Sequence, residues 1–283
     1  MLLLRQKILK EGIHQNIFVA FCSNLDLLGT NKAKFSIRFA VYRMKLAIIG
    51  YGKMGKTIEN VAKERGHTIG AVIDADFTAE EIAHCDVAIE FSRPDTAVAN
   101  ISKCIEAKVP VVVGTTGWYA DYDSLAKKAM KENGGLFTAT NFSVGVNILF
   151  HLNEKLAKLM NGFPQYEVQM DETHHLQKLD HPSGTAVTLA EGIINSLDRK
   201  KKYVGLLEGQ DADITPFDLQ IVSKREPEVP GFHQISYDSD IDTITISHNA
   251  KNRLGFAQGA VLAAEWMKDK KGVFGMQDLL NFE

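Results

Sequence analysis

Apolar positions along this chain change their spacing twice, and the changes divide it into three parts. From residue 44 to about Asn141, short apolar runs alternate with amphipathic stretches. The runs 45–49, 68–74, 87–92, 109–116 and 136–141 read as buried strands, whereas a stretch ending at Arg65, 94–107 and 121–133 carry helical spacing. Such alternation predicts a parallel sheet covered on both faces, with ligands beyond the carboxyl ends of the strands. After a helix at 144–160 the period drops to two. Tyr166, Val168 and Met170 alternate with Glu167, Gln169 and Asp171, and the same holds for Phe217, Leu219 and Ile221 and for Ile244 and Ile246 against Thr243 and Thr245. These predict half-buried strands of a mostly antiparallel open sheet, with a helix at 186–197 packed on it. Helical spacing returns at 253–271, where Leu254, Ala257, Ala260, Val261, Ala264 and Met267 mark one face.

The first strand and helix enclose Gly50-Tyr51-Gly52-Lys53-Met54-Gly55, and the second strand ends in Asp74, nineteen residues after Gly55. Strand, glycine turn, helix, strand and terminal acid together form the dinucleotide-binding fingerprint. Gly50 permits the tight turn, Gly52 the approach of a pyrophosphate, and Gly55 close helix–strand packing. The fold class expected is therefore α/β: a Rossmann-type parallel-sheet nucleotide domain, plus an α+β domain with the mostly antiparallel sheet. The nucleotide domain is expected to be discontinuous, 44–141 with 252–283, around a substrate-binding and oligomerisation domain at 142–251. Three polar loops, at 90–94, 114–117 and 139–142, fall at the cofactor edge of the parallel sheet.

Composition narrows the classes. Of the 283 residues 45% are hydrophobic, enough for one large or two modest cores. A net charge of −3 offers no nucleic-acid footprint. Cys22, Cys85 and Cys104 are scattered with no C-x-x-C, which argues against a disulfide framework or a metal site and fits a reducing, cytoplasmic setting. No apolar run approaches membrane-spanning length. Residues 1–43 differ from the rest, with seven Lys/Arg against two acids and no regular pattern. They are expected to be a non-functional extension, Met44 being the functional start.

A second constellation lies at 172–186, E-T-H-H-L-Q-K-L-D-H-P-S-G-T-A. His174, His175, Lys178 and Asp180 precede Ser183-Gly184-Thr185 at a helix start, where free N–H groups and a partial positive charge favour an anion. Proton-transfer groups thus stand beside an anion site. A capped helix after a solvated polar loop accounts for the same residues equally well.

From Met44 to Phe282 the chain resembles the dihydrodipicolinate (4-hydroxy-tetrahydrodipicolinate) reductase family. The resemblance rests on the glycine fingerprint, E-F-S-R-P at 90–94, V-G-T-T-G at 113–117, N-F-S-V-G-V-N at 141–147, the whole 172–186 block and H-N-A-K-N-R-L-G-F-A-Q-G-A at 248–260. Departures are a glycine loop one residue shorter than is common, a short segment between Asp74 and Asp86, Glu90 and Ser92 where Asp and Thr are common, and Thr140 where Ala or Pro is usual.

The resemblance implies reduction of a cyclic dicarboxylate in diaminopimelate and lysine biosynthesis by NADH or NADPH. It implies His174 as the acid/base group, Lys178 as proton donor or carboxylate partner, and His175, Ser183, Gly184 and Thr185 as substrate contacts. Gly114, Thr115, Thr116, Ala139, Thr140, Asn141 and Phe142 would line the nicotinamide side, with residues 50–55 and Asp74 holding the rest of the cofactor. Asp74, with no Arg or Lys among the next three residues, leans mildly to NADH, because a carboxylate repels a 2′-phosphate. A homotetramer is implied as well. Asp180 is expected to orient its loop and His248 to be structural, and Arg253 to meet a ligand or an internal ion pair. Two alternatives stand beside this reading: another nicotinamide-dependent dehydrogenase of amino-acid metabolism, and a non-catalytic NAD-sensing module.

Overall fold

The computed structural model describes residues 43–282, so the expectation for the leading segment lies outside the described residues. The parallel sheet has six strands in the order β11-β5-β4-β3-β1-β2. These are β1 (Lys45–Ile49), β2 (Thr68–Ile73), β3 (Val87–Glu90), β4 (Val111–Val113), β5 (Gly135–Thr138) and β11 (Gly272–Phe274). All pairings are parallel, with registers such as Ile48↔Ile89 and Val112↔Phe137. The helices among them are α1 (Lys53–Glu64), the single turn α2 (Ala79–Ile82), α3 (Pro94–Glu106) and α4 (Tyr122–Lys131).

The central strands are apolar on both faces because helices cover both. On one face α1 and the late helix α7 (Leu254–Met267) bury Ile58, Val61, Ala257, Ala260 and Val261 against Leu46, Ile48 and Ile89. On the other, α3 and α4 bury Ala97, Ile101, Leu125 and Ala129 against Ala47, Ala88 and Val111. The expected return of the third part to this sheet is seen in α7 and in β11, whose Val273 pairs with Leu136. The helix is shorter than its apolar pattern suggested: it ends at Met267, and Asp269 (φ 63°) turns the chain into β11. Leu254 leaves the apolar face and is 39% exposed.

The second sheet has five strands in the order β10-β9-β6-β8-β7. These are β6 (Glu167–His174), β7 (Lys202–Leu207), β8 (Asp218–Arg225), β9 (Gly231–Asp238) and β10 (Thr243–Ala250). The β10–β9 and β9–β6 pairings are antiparallel, and the β6–β8 and β8–β7 pairings are parallel. α5 (Val144–Met160) and α6 (Gly184–Ile194) cover one face, burying Leu149, Ala157, Leu189 and Ile193 against Val168, Met170, Leu219, Ile221 and Ile235. Two expected inward positions point elsewhere. Phe217 precedes the first residue of β8 and is 60% exposed, and Ile244 on the edge strand β10 is 39% exposed. Among the described residues no helix is long and apolar enough to cross a membrane. α8 (Met276–Leu280) closes the chain.

Candidate active site

β6 is built to change character along its length. Val168 and Met170 point into the core, but the last three positions bury Glu172, Thr173 and His174. Polar side chains buried at a strand end need partners. Glu172 Oε1 accepts hydrogen bonds from the Ser183 N–H at 3.0 Å and the Ser223 hydroxyl at 2.7 Å. Ser183 in turn caps α6, its Oγ accepting from Ala186 N–H at 3.2 Å, and stands 3.1 Å from His233 Nε2. The strand end carrying His174 and the start of α6 are thus clamped to each other through one carboxylate.

The loop between them is tied down on its other side. Arg225 donates from Nε to Lys178 O (3.1 Å) and from Nη2 to Asp180 O (2.9 Å). Pro182 packs on Gly205 of β7, where a Cβ would stand 2.4 Å from the proline ring. Lys178 Nζ donates to both Asp180 oxygens at 2.8 Å, and this hydrogen bond holds the Asp180 carboxyl below its ordinary range. Asp180 therefore holds Lys178 in the loop.

A cavity of about 330 Å³ opens beside this clamp, lined by His174, Thr185, Asn141, His233 and His248 among others. Three helices begin at it. Ser143 and Val146 come from the first turn of α5, Thr185 from that of α6, and Leu254, Gly255 and Phe256 from that of α7. Each start carries unsatisfied N–H groups and a fraction of positive charge, so the three together favour an anion. Lys251 lies at the rim, exposed and with no ion pair among the described residues. Burial pushes His174 down to about 4, and burial, then His233, lowers His248, so both rings favour the neutral form at neutral pH.

Of the residues expected to meet substrate, His174 and Thr185 line the cavity. Gly184 is exposed at the first position of α6, with open space around its Cα. Ser183 is buried, its hydroxyl committed to the cap and His233, and Lys178 and half-buried His175 lie outside the lining. His248, expected to be structural, lines the cavity. Arg253 is exposed and has no ion pair among the described residues. Sequence reading missed Glu172 and His233. The only signal available was that each falls on an inward position of its strand.

At the parallel sheet the glycine loop fits a dinucleotide. Gly50 has φ 87°, and a Cβ there would strike Phe91 O at 2.2 Å. Gly55 lies against Gly50 O, where a Cβ would stand at 2.1 Å, while nothing lies within 4 Å of a Cβ on Gly52. Asp74 Oδ1 accepts from Tyr51 N–H at 2.9 Å, which joins the end of β2 to the loop. Exposed Lys53 and half-buried Met54 open α1. The loops after β3 and β4 are joined by Ser92 N–H donating to Thr115 Oγ1 at 2.8 Å, over the buried Glu90, whose carboxyl burial shifts upward. Gly114 lies under the Phe91 ring and Thr116 is exposed. After β5, Ala139 is half-buried and Thr140 exposed. Phe142 has its ring in the core, 5.6 Å from that of Phe91, so its backbone is what it can offer a ligand.

Comparison with known proteins agrees with this layout. The family description "Dihydrodipicolinate reductase, N-terminus" matches residues 44–142, and "Dihydrodipicolinate reductase, C-terminus" matches 145–280. A 4-hydroxy-tetrahydrodipicolinate reductase of Christiangramia forsetii is 47% identical over 240 residues, 84% of this chain and 98% of the relative. One from Neisseria gonorrhoeae is 34% identical over 227 residues, 78% and 83% of the two chains. The solved structure of a dipicolinate-bound dihydrodipicolinate reductase from Paenisporosarcina sp. TG-14 shares the fold, with a TM-score of 0.65 at 23% identity over 83% of this chain and 99% of that one. The chain belongs to the dihydrodipicolinate reductase family, and its activity is that of a 4-hydroxy-tetrahydrodipicolinate reductase, a nicotinamide-dependent oxidoreductase of lysine biosynthesis.

Proposed function

We propose that the cavity at the starts of α5, α6 and α7 binds the dicarboxylate substrate, with His174 as the acid/base group. The observation that carries this is the convergence of three helix N-termini on the cavity that the His174 imidazole lines. The dipicolinate-bound relative supports a dicarboxylate of this kind. Gly184 and Thr185 would hold one carboxylate through their free N–H groups and the Thr185 hydroxyl, with Ser183 shaping the helix start. Lys178 and His175 would approach from the loop, Lys178 exchanging Asp180 for the second carboxylate. When bound, the cofactor supplies a hydride; negative charge then builds on the substrate, so a positive field and a proton donor lower the barrier.

Residues 50–55 and Asp74 would hold the adenosine and pyrophosphate, and 114–116 and 139–142 the nicotinamide side. Domains 44–141 with 252–283 and 142–251 would then act as the nucleotide and substrate halves. Asp74 would favour NADH, since a carboxylate at the end of β2 repels a 2′-phosphate. A cytoplasmic homotetramer fits the exposed Phe217, Ile241 and Ile244 around the second sheet. The test is NADH oxidation with freshly generated substrate, comparing parent with His174→Gln. Loss of turnover with intact NADH binding supports the assignment, and parental turnover defeats it.

A further inference from the structure

Glu172 is fully buried and has no part in the assignments above. Its Oε1 is saturated by Ser183 N–H and Ser223 Oγ, yet its Oε2 makes no hydrogen bond. That oxygen lies 3.5 Å from His174 Nδ1 and 3.5 Å from His233 Nε2. His174 Nδ1 is itself buried without a partner, and the two rings meet edge to face at 5.1 Å. Gly231, also in the cavity lining, leaves room at the other nitrogen: a Cβ there would stand 3.2 Å from His174 Nε2. A buried polar atom left unpaired beside a second one calls for an explanation.

We propose that Glu172 is the positioning residue of proton transfer: it holds the Nδ1 proton of His174, presents Nε2 to the cavity, and stabilises the imidazolium present whenever that ring carries the substrate's proton. The inference deepens the reading of His174 as acid/base group and rests on it. In the step itself the N–H bond at Nε2 breaks, the substrate gains the proton, the bonding pair stays on the ring, and solvent restores the proton afterwards.

The charges around His174 support this. Burial most of all disfavours a proton there, and so do the His233 imidazole on β9, Lys178 on the loop and Arg225 on β8; Glu172, on β6 itself, is the anion that favours one. Burial also works against the Glu172 charge, but contacts with His233, Ser183 and Ser223 outweigh it and keep the carboxyl at about 2. A dianion arriving at the helix starts would act in the same direction as Glu172. Because the same carboxylate grips the Ser183 cap, substrate anchoring on α6 and proton loading on His174 share one residue.

The donor atoms of Glu172, His174 and His233 also lie within 4.8 Å of one another, a spacing a divalent cation could bridge. The experiment separates these cases. Glu172→Gln keeps the shape and removes the charge. Its kcat at pH 7.5 should fall on the order of 10- to 100-fold with KM within about threefold, and the alkaline limb of its kcat–pH profile, where His174 loses the proton it donates, should move to lower pH. Glu172→Asp should recover part of the loss. Chelator treatment of the parent should leave activity unchanged. In the nitrogen NMR spectrum of the parent, His174 should be the Nδ1–H tautomer, a readout that needs no variant. An Nε2–H tautomer, or a Gln variant with parental kcat and pH profile while His174→Gln is crippled, would overturn the proposal. Activity lost to chelator and restored by Zn²⁺ would overturn it in favour of a metal site. If His174→Gln is itself parental, it is the acid/base assignment that fails.

Discussion

Asn141 Nδ2 donates a hydrogen bond to Thr185 Oγ1 at 3.3 Å, and this contact joins the loop after β5 to the first turn of α6. Asn141 is held for it from behind, its Oδ1 accepting from Ser143 N–H at 2.8 Å and its carbonyl from Asn147 Nδ2 at 2.8 Å. A residue expected to face cofactor and one expected to face substrate thus meet directly, at the wall of one cavity. Thr185→Val removes the hydroxyl at nearly constant volume. Its expected effect is a substrate KM raised on the order of tenfold with a smaller change in kcat, as for lost ground-state binding. Steady-state kinetics in both substrates check it; an unchanged KM would place the carboxylate elsewhere.

Asp74→Ala removes both a ribose acceptor and a repulsive charge. NADH affinity should fall and its advantage over NADPH narrow or reverse. Because Asp74 also accepts from Tyr51 N–H, a small loss of stability of about 1 kcal/mol accompanies it. Titration of both cofactors against protein fluorescence decides the matter, equal affinities before and after the change being the adverse result.

His174→Gln and Lys178→Ala should differ in kind. The first should cost on the order of 10²-fold or more in kcat with little change in KM. The second should raise KM more, since Lys178, paired with Asp180 outside the cavity lining, is proposed to exchange that partner for a substrate carboxylate. NADH binding should survive in both, and near-parental turnover in both would defeat the mechanism.

Two glycines in one loop should respond oppositely. A methyl on Gly52 enters open space, so Gly52→Ala should keep the parental Tm and lose NADH affinity. Gly55→Ala would drive a Cβ to 2.1 Å from Gly50 O and should lower stability by about 2 kcal/mol or more. Thermal melts with and without NADH separate the two; a Gly52→Ala variant that binds NADH like the parent would free that position from the cofactor.

Acid sensitivity follows from the two shifted groups. His174 drops to about 4 when folded, from an ordinary value near 6.5, so between those pH values the unfolded chain binds the extra proton. Stability therefore rises with pH across that window and falls as pH drops through it, by up to about 3 kcal/mol. Glu172, at about 2 when folded, continues the same slope below about 4.5. Denaturant melts at pH 4 to 7 should show His174→Gln with a flatter upper slope than the parent; parallel slopes would contradict the burial effect.

Much of this architecture is written locally. The glycine fingerprint, the strands β1 to β5 with α1, α3 and α4 between them, the Ser183 cap and the helix after it depend on turn chemistry and on periodicity over a few residues, and these were legible in the sequence, whereas the single turn α2 was not. The block at 172–186 declared its residue types for the same reason. What only the tertiary structure decided depends on partners far along the chain. β9 carries His233 on the face of Ile235 and Tyr237, but only its register with β6 sets that histidine opposite Glu172, sixty-one residues away. β11 is three residues long and is a strand only through its pairing with Gly135–Phe137. Lys178, conspicuous in the sequence, is turned to Asp180, whereas His248 is brought to the cavity by β10. Residue types and periods are properties of neighbours along the chain; which nitrogen faces which oxygen is set by strand register and by the three helices that happen to start at one place.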